Sequence, residues 1–105
     1  MSDIRKLQRE LVARVLGRGG KAPPALRRSA YDNAGLDEPV RTLVDKVAHR
    51  AHRVTDEDIA AVRTAGLSED QVFEVVVCAA VGQAHRQHTG ALAALAEALR
   101  THDET

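Results

Sequence analysis

The sequence predicts a small all-α protein, and three observations support that class. Apolar residues recur at steps of three and four along most of the chain, which is the period of an amphipathic helix. No run alternates apolar and polar residues as a half-buried strand does. Hydrophobic residues make up 44% of the 105 residues, which is enough for one domain with a modest core. We therefore expect a small bundle of about five helices.

The first predicted element is an amphipathic helix over about residues 3–16. Its apolar side consists of Ile4, Leu7, Leu11 and Val15. The glycine-rich stretch GRGGKAPP ends this helix and acts as a linker. We therefore divide the chain into a basic N-terminal helix and linker at residues 1–22 and a helical domain at residues 23–105.

The domain begins with a short helix over about Pro24–Tyr31, because proline suits a first helical turn. The tetrapeptide DNAG breaks it. The next helix begins near Asp37 and tolerates Pro39 in its first turn. Its predicted apolar face consists of Val40, Leu43, Val44, Val47, Ala48 and Ala51.

Two capping signals mark the starts of the last two helices. Thr55 followed by Asp58 resembles a capping box, and so does Ser68 followed by Gln71. Between them, Gly66 can take the left-handed conformation that closes a helix. The first of these helices carries its apolar residues, Ile59 and Val62, inward.

The last helix is predicted from Glu69 toward Arg100, with a break at the triplet HTG. Its first turns read QVFEVVVCAAVG and are apolar on every side, so we expect this long helix in a core or an interface. Valine and alanine offer bases no hydrogen-bonding code, which argues against a DNA-reading helix-turn-helix. Because the apolar residues are small, with Tyr31 and Phe73 the only aromatics, we expect a homo-oligomer.

Charge is unevenly distributed, although the formal net charge is zero. Residues 1–28 hold eight basic and two acidic residues, a net charge of +6, and residues 29–105 carry −6. The basic segment either packs against the acidic remainder or forms a nucleic-acid arm. No aromatic residues are interleaved with it, which disfavours nucleic acid. The chain shows no signal peptide and no membrane span, so we expect a cytoplasmic protein without a membrane partner.

From about Leu36 to Leu99 the chain resembles the carboxymuconolactone decarboxylase and alkylhydroperoxidase D-like superfamily. The residues that carry the resemblance are LVDKVAHRAHRVTDEDIAAVRTAGLSEDQVFEVVVCAAVG, in which a helix, an AGLSEDQ turn and a long apolar helix follow in the family's order. The resemblance implies an all-α fold that assembles as a trimer or hexamer. In the peroxidase branch it also implies a CxxC pair, a histidine beyond it and a glutamate upstream.

This chain departs from that pattern at the reactive positions. The two cysteine positions fall on Ala51 and Val54, the histidine position on Asp58, and the glutamate position on Pro39, next to Glu38. Alanine and valine cannot cycle between thiol and disulfide, so dithiol peroxidase activity is not expected. The decarboxylase branch does not depend on the cysteine pair and stays open.

Three residues of the last helix are the candidates for acid/base catalysis: Glu74, His85 and His88. They share one stripe of the helix, and a carboxylate on an apolar helix needs a partner or a proton. The alternative for Glu74 is a structural bond to a basic residue or a helix terminus. Cys78 on the same stripe is expected to be a small buried hydrophobe.

A weaker hypothesis is a metal site at the two His-x-x-His pairs, formed by His49, His52, His85 and His88. Histidines near helix ends also have a purely structural explanation, so we expect no metal and no cofactor. The function expected first is a redox-inactive, self-assembling interaction or scaffold module. The alternatives are an acid/base enzyme acting on a small acid or lactone, and a nucleic-acid-associated protein.

Overall fold

The computed structural model describes Lys6, Arg9, Glu10 and residues 20–104, with side chains as far as Thr101. The described part is all helical, as predicted, and contains no strand. Its α-helices are α1 (Pro24–Asp32), α2 (Val40–His49), α3 (Asp56–Thr64) and α4 (Glu69–Glu104). The predicted helix over residues 3–16 lies largely outside the described residues. The described part therefore holds four of the five helices expected.

Helix α1 begins and ends where its sequence predicts. Pro24 occupies its first turn, and Asn33 closes it in the left-handed conformation with a φ of 51°. The backbone N–H of Asn33 donates to the carbonyl of Ala30, and that of Ala34 donates to the carbonyl of Ser29. The DNAG break is therefore a local C-terminal cap.

Helix α2 starts three residues later than expected, at Val40, directly after Pro39. The Glu38 carboxylate accepts a hydrogen bond of 2.8 Å from the backbone N–H of Thr42, which satisfies one donor of its first turn. The predicted apolar face is confirmed except at Ala51, which is exposed. That prediction was wrong because α2 ends at His49 and a short 3-10 turn, Ala51–Arg53, follows.

Both predicted capping boxes are present. Thr55 and Asp58 exchange hydrogen bonds at the start of α3, and Ser68 and Gln71 do so before α4. Gly66, with a φ of 113°, allows the reversal between the two helices. These ends follow from contacts within four residues.

Helix α4 is continuous over 36 residues, so the predicted break at HTG was wrong. Gly90 costs a helix only about 1 kcal/mol relative to alanine, and the alanines and leucines that follow it favour helix. One side of α4, not every side, is buried in the described chain. The core is formed by Ala30, Tyr31, Val40, Leu43, Val44, Val62, Val72, Val75, Cys78 and Ala79.

Helices α1 and α4 approach each other closely at Gly82. A Cβ placed on Gly82 would lie 1.9 Å from the carbonyl oxygen of Tyr31. Arg86, one turn later, donates a hydrogen bond to that same carbonyl at the end of α1. The absence of a side chain at Gly82 therefore sets the distance between the two helices. No helix in the described part is both long enough and apolar enough to cross a membrane.

Candidate functional site

Glu74 lies in the second turn of α4 and binds the chain just before α1. Its carboxylate oxygens accept hydrogen bonds from the backbone N–H groups of Lys21, at 2.7 Å, and Ala22, at 2.6 Å. These two bonds hold the pKa of Glu74 below its ordinary value, against a smaller opposing effect of desolvation. The carboxylate is therefore ionised at neutral pH, and both its oxygens are engaged.

Arg27 is the buried charge of this region, with only 3% of its surface exposed. Its Nε donates to the carbonyl of Ala22 at 3.1 Å, and its positive charge further lowers the pKa of Glu74. Gly20 fits tightly beside both side chains. A Cβ there would lie 2.9 Å from Arg27 Nη1 and 3.1 Å from Glu74 Oε1. Arg27, Glu74 and the segment 20–22 thus form one interlocked unit, which we call the clasp.

Two exposed contacts extend the clasp along α4. Lys21 Nζ lies 2.8 Å from Asp70 Oδ2, and the Gln71 side-chain amide donates to the carbonyl of Lys21 at 3.2 Å. Two cations of the basic segment, Lys21 and Arg27, are therefore bound near acidic residues of α4. For these two, the interpretation that the basic segment packs on its own chain is confirmed. Arg5, Arg14 and Arg18 lie outside the described residues.

Arg27 was not among the predicted site residues, because in the sequence it is one of eight basic residues of the N-terminal segment. The signal was its spacing. Arg27, Ala30 and Tyr31 are three and four residues apart on α1, so Arg27 lies on the helix face that packs on α4. A cation on an apolar face needs an anion opposite, and Glu74 was the one carboxylate within the apolar run of α4.

Cys78 lies one turn after Glu74 and is 1% exposed. Burial raises the pKa of its thiol, and the nearby Arg27 opposes this only in part. The side chain is therefore a protonated thiol within the core at neutral pH. This agrees with the prediction of a small buried hydrophobe and gives the thiol no nucleophilic role.

His85 packs where α1 ends. Its ring meets the ring of Tyr31 edge to face, with 6.2 Å between the ring centroids. Its Nδ1 atom is buried and has no hydrogen-bond partner. The neighbouring Arg86 binds the end of α1 and the side chain of Gln83, so His85 belongs to a helix-packing contact. His88, three residues later, is exposed.

The three predicted catalytic residues do not converge within one chain. Glu74 and His85 are eleven residues apart on a single helix, which corresponds to about 16 Å along its axis. A general base and its partner act over hydrogen-bond distances. Glu74 is bound in the clasp, His85 lies against Tyr31, and His88 faces solvent, so these side chains do not meet within one chain.

The four histidines of the metal hypothesis are also separated. His49 contacts the side chains of Asn33, at 3.3 Å, and Asp45, at 3.9 Å, near the end of α2. His52 is exposed in the 3-10 turn. In the described part of the chain, no group of three or more His, Cys, Asp or Glu residues is arranged to hold a metal ion. The four-histidine arrangement is therefore not formed.

Two open surface depressions lie elsewhere. One, of about 400 Å³, is lined by residues of α1 and of the loop before α2, including Leu26, Leu36 and Pro39. The other, of about 390 Å³, is lined mainly by polar residues of α2, including Thr42 and Asp45. Neither contains Glu74, His85 or His88.

The most distinctive surface is on the side of α4 that faces away from the core. Phe73 is 69% exposed, and Leu92, Leu95 and Leu99 are 42%, 56% and 57% exposed. Smaller side chains at helical spacing connect them into a continuous stripe without an ionisable Asp, Glu, Lys or Arg. This outer face consists of Phe73, Val77, Ala80, Ala84, His88, Ala91, Leu92, Leu95, Ala98 and Leu99. An exposed apolar stripe of this length is typical of an interaction surface.

No protein-family model, curated protein or solved structure matches this chain.

Proposed function

We propose that this protein is a self-assembling helical interaction module, and that it is a divergent, redox-inactive relative of the alkylhydroperoxidase D-like proteins. One observation carries the assembly: the outer face of α4 exposes four large apolar side chains on the helix that also forms the core. The first half of α4 packs on helices α1 to α3, whereas its residues from about 87 onward are exposed on all sides. Within the described part of the chain nothing covers this apolar surface, and association removes it from water.

The positions at which the family carries its thiol chemistry support the absence of redox activity. Ala51 is exposed in the 3-10 turn, and Val54 is the residue directly after that turn. Asp58, at the family's histidine position, is paired with Lys46 at 2.9 Å. The remaining thiol, Cys78, is buried and protonated. Nothing at these positions forms or resolves a disulfide.

The alternative functions are less well supported. Acid/base catalysis needs a carboxyl group with a free oxygen and a pKa near the working pH, whereas Glu74 has a lowered pKa and two backbone partners. For a nucleic-acid arm the structure bears on part of the basic segment: Lys21 is paired with Asp70 and Arg27 is buried, whereas Lys6 and Arg9 are exposed. The partner proposed first is therefore a second copy of this chain. The resemblance favours a trimer or hexamer.

Light scattering at micromolar protein concentration tests the assembly directly. The parent should have the mass of an oligomer, that is, two or more times the 11.3 kDa of one chain. Leu95→Glu puts a charge on the outer face, where Leu95 makes no core contact, and should shift the protein toward the monomer. Ala93→Glu adds the same charge about 160° away around the same helix and should leave the assembly intact. A monomeric parent, or equal behaviour of both variants, contradicts the proposal.

A further inference from the structure

Resting on that proposed self-assembly, we infer that two copies pair antiparallel along the outer face of α4, about a two-fold axis between Ala84 and His88. In this arrangement the C-terminal half of each α4 lies on the Phe73–Ala84 half of its partner. The C-terminal half of α4, which α1 to α3 of its own chain do not cover, is then covered by the first half of α4 in the second copy.

The shape of the molecule provides the first argument. Its extents are 57 × 28 × 21 Å, and α4 alone, with 36 residues, is about 54 Å long. Helices α1 to α3 cover only its first half and only its inner side. The exposed C-terminal half of α4 is therefore about as long as the outer face along the first half of α4, where α1 to α3 pack on the inner side. Two copies exchange these halves when their helices run in opposite directions.

The order of side-chain sizes along the stripe provides the second argument. Antiparallel pairing about this axis sets Phe73 against Leu99, and Val77 against Leu95. It also brings Ala80 to the level of Leu92, about 120° away around the helix. A small residue therefore lies at the level of a large one in the middle of each half, as close packing requires. Parallel pairing instead sets Ala80 against Ala80 and Ala84 against Ala84, which leaves gaps between the helices.

The helix dipoles provide the third argument. Antiparallel pairing places the N-terminal end of each helix dipole near the C-terminal end of the other, whereas parallel pairing sets like ends together. The stripe itself carries no Asp, Glu, Lys or Arg whose charge would have to be desolvated.

The available area is sufficient for a specific contact. From Phe73 to Leu99 the stripe is about 39 Å long, and a helix presents a strip about 10 Å wide. Each copy thus contributes roughly 400 Å² in projection, or about 800 Å² for the pair, and interdigitating side chains add accessible area toward the ~1,000 Å² of a specific interface. Such a pair is also a unit from which a hexamer of three pairs can be built.

Disulfide cross-linking tests the direction and register of the helices. Val77→Cys and Leu95→Cys, which lie five full turns apart on the same side of α4, are prepared separately, one with an affinity tag that changes its size, then mixed, unfolded, refolded together and oxidised mildly. The inferred pairing predicts that the mixed dimer becomes the main cross-linked species, while each variant alone cross-links weakly. The parent, whose Cys78 is buried, is the control and should not cross-link.

Efficient cross-linking of Val77→Cys or Leu95→Cys with itself would show a parallel pair and overturn the inference. An assembled parent whose two variants form no mixed disulfide would overturn it as well, because the contact would then lie on another surface. In both cases the proposed self-assembly would stand. A monomeric parent in light scattering would overturn the self-assembly and the inference together.

Discussion

Replacing Gly82 by alanine tests the packing of α1 on α4. The added Cβ would lie 1.9 Å from the Tyr31 carbonyl oxygen, 2.7 Å from its carbon and 2.9 Å from Cα. Ordinary contact begins at 3.4 Å, so the two backbones must separate by about 1.5 Å. Because the obstacle is backbone, no side-chain rotation relieves it. The separation also weakens the hydrogen bond from Arg86 to the same carbonyl.

The expected cost follows from two opposing effects. Overpacking of a tight contact costs about 1–3 kcal/mol, and a clash between backbones belongs at the upper end of that range. Alanine favours helix over glycine by only about 1 kcal/mol. Gly82→Ala should therefore destabilise the fold by about 2 kcal/mol, which lowers the melting temperature by about 8–16 °C in a domain of this size.

Gly90→Ala is the matched control, since it is the same change on the same helix with no atom within 4 Å of the new Cβ. It should raise stability by about 0.5–1 kcal/mol. Thermal melts followed by far-ultraviolet circular dichroism, at one protein concentration because association is linked to stability, measure both variants. If Gly82→Ala raises the melting temperature as much as Gly90→Ala does, the close contact between α1 and α4 is refuted.

Three further outcomes are expected. Val75→Asp should prevent folding because an unpaired carboxylate would replace a side chain with 0% exposure, whereas Arg50→Ala, on the surface, should melt close to the parent; equal melts would contradict the assigned core. The folded-state pKa of Glu74 is lowered, so its contribution to stability is present above pH 4.5 and is lost as pH falls through the folded-state value. Denaturant titrations should therefore show Glu74→Gln less stable than the parent at neutral pH and closer to it in acid, with exposed Glu57→Gln as the control; a difference independent of pH would argue against the ionised clasp. The purified protein should not turn over hydroperoxides with a thiol reductant, and turnover that disappears in Cys78→Ser would reveal a one-cysteine mechanism instead.

The sequence by itself determined the positions of the described helices and most of their ends. Proline at the start of α1, the pairs Thr55–Asp58 and Ser68–Gln71, and the positive φ of Gly66 act over a few residues, so their geometry can be predicted from spacing alone. The unbroken course of α4 also has a local cause. The predicted break at HTG gave one glycine too much weight against the helix-forming residues that follow it.

The tertiary structure decided which surfaces these helices share. Glu74 binds backbone groups more than fifty residues away, and Gly82 is required only because Tyr31 lies against it. The first turns of α4 carry apolar residues on several sides, so their periodicity could not indicate which side the core would cover. Burial depends on which helices pack against it, and the chain between them determines that. The outer face from Phe73 to Leu99 is exposed because α1 to α3 are too short to surround a helix of this length.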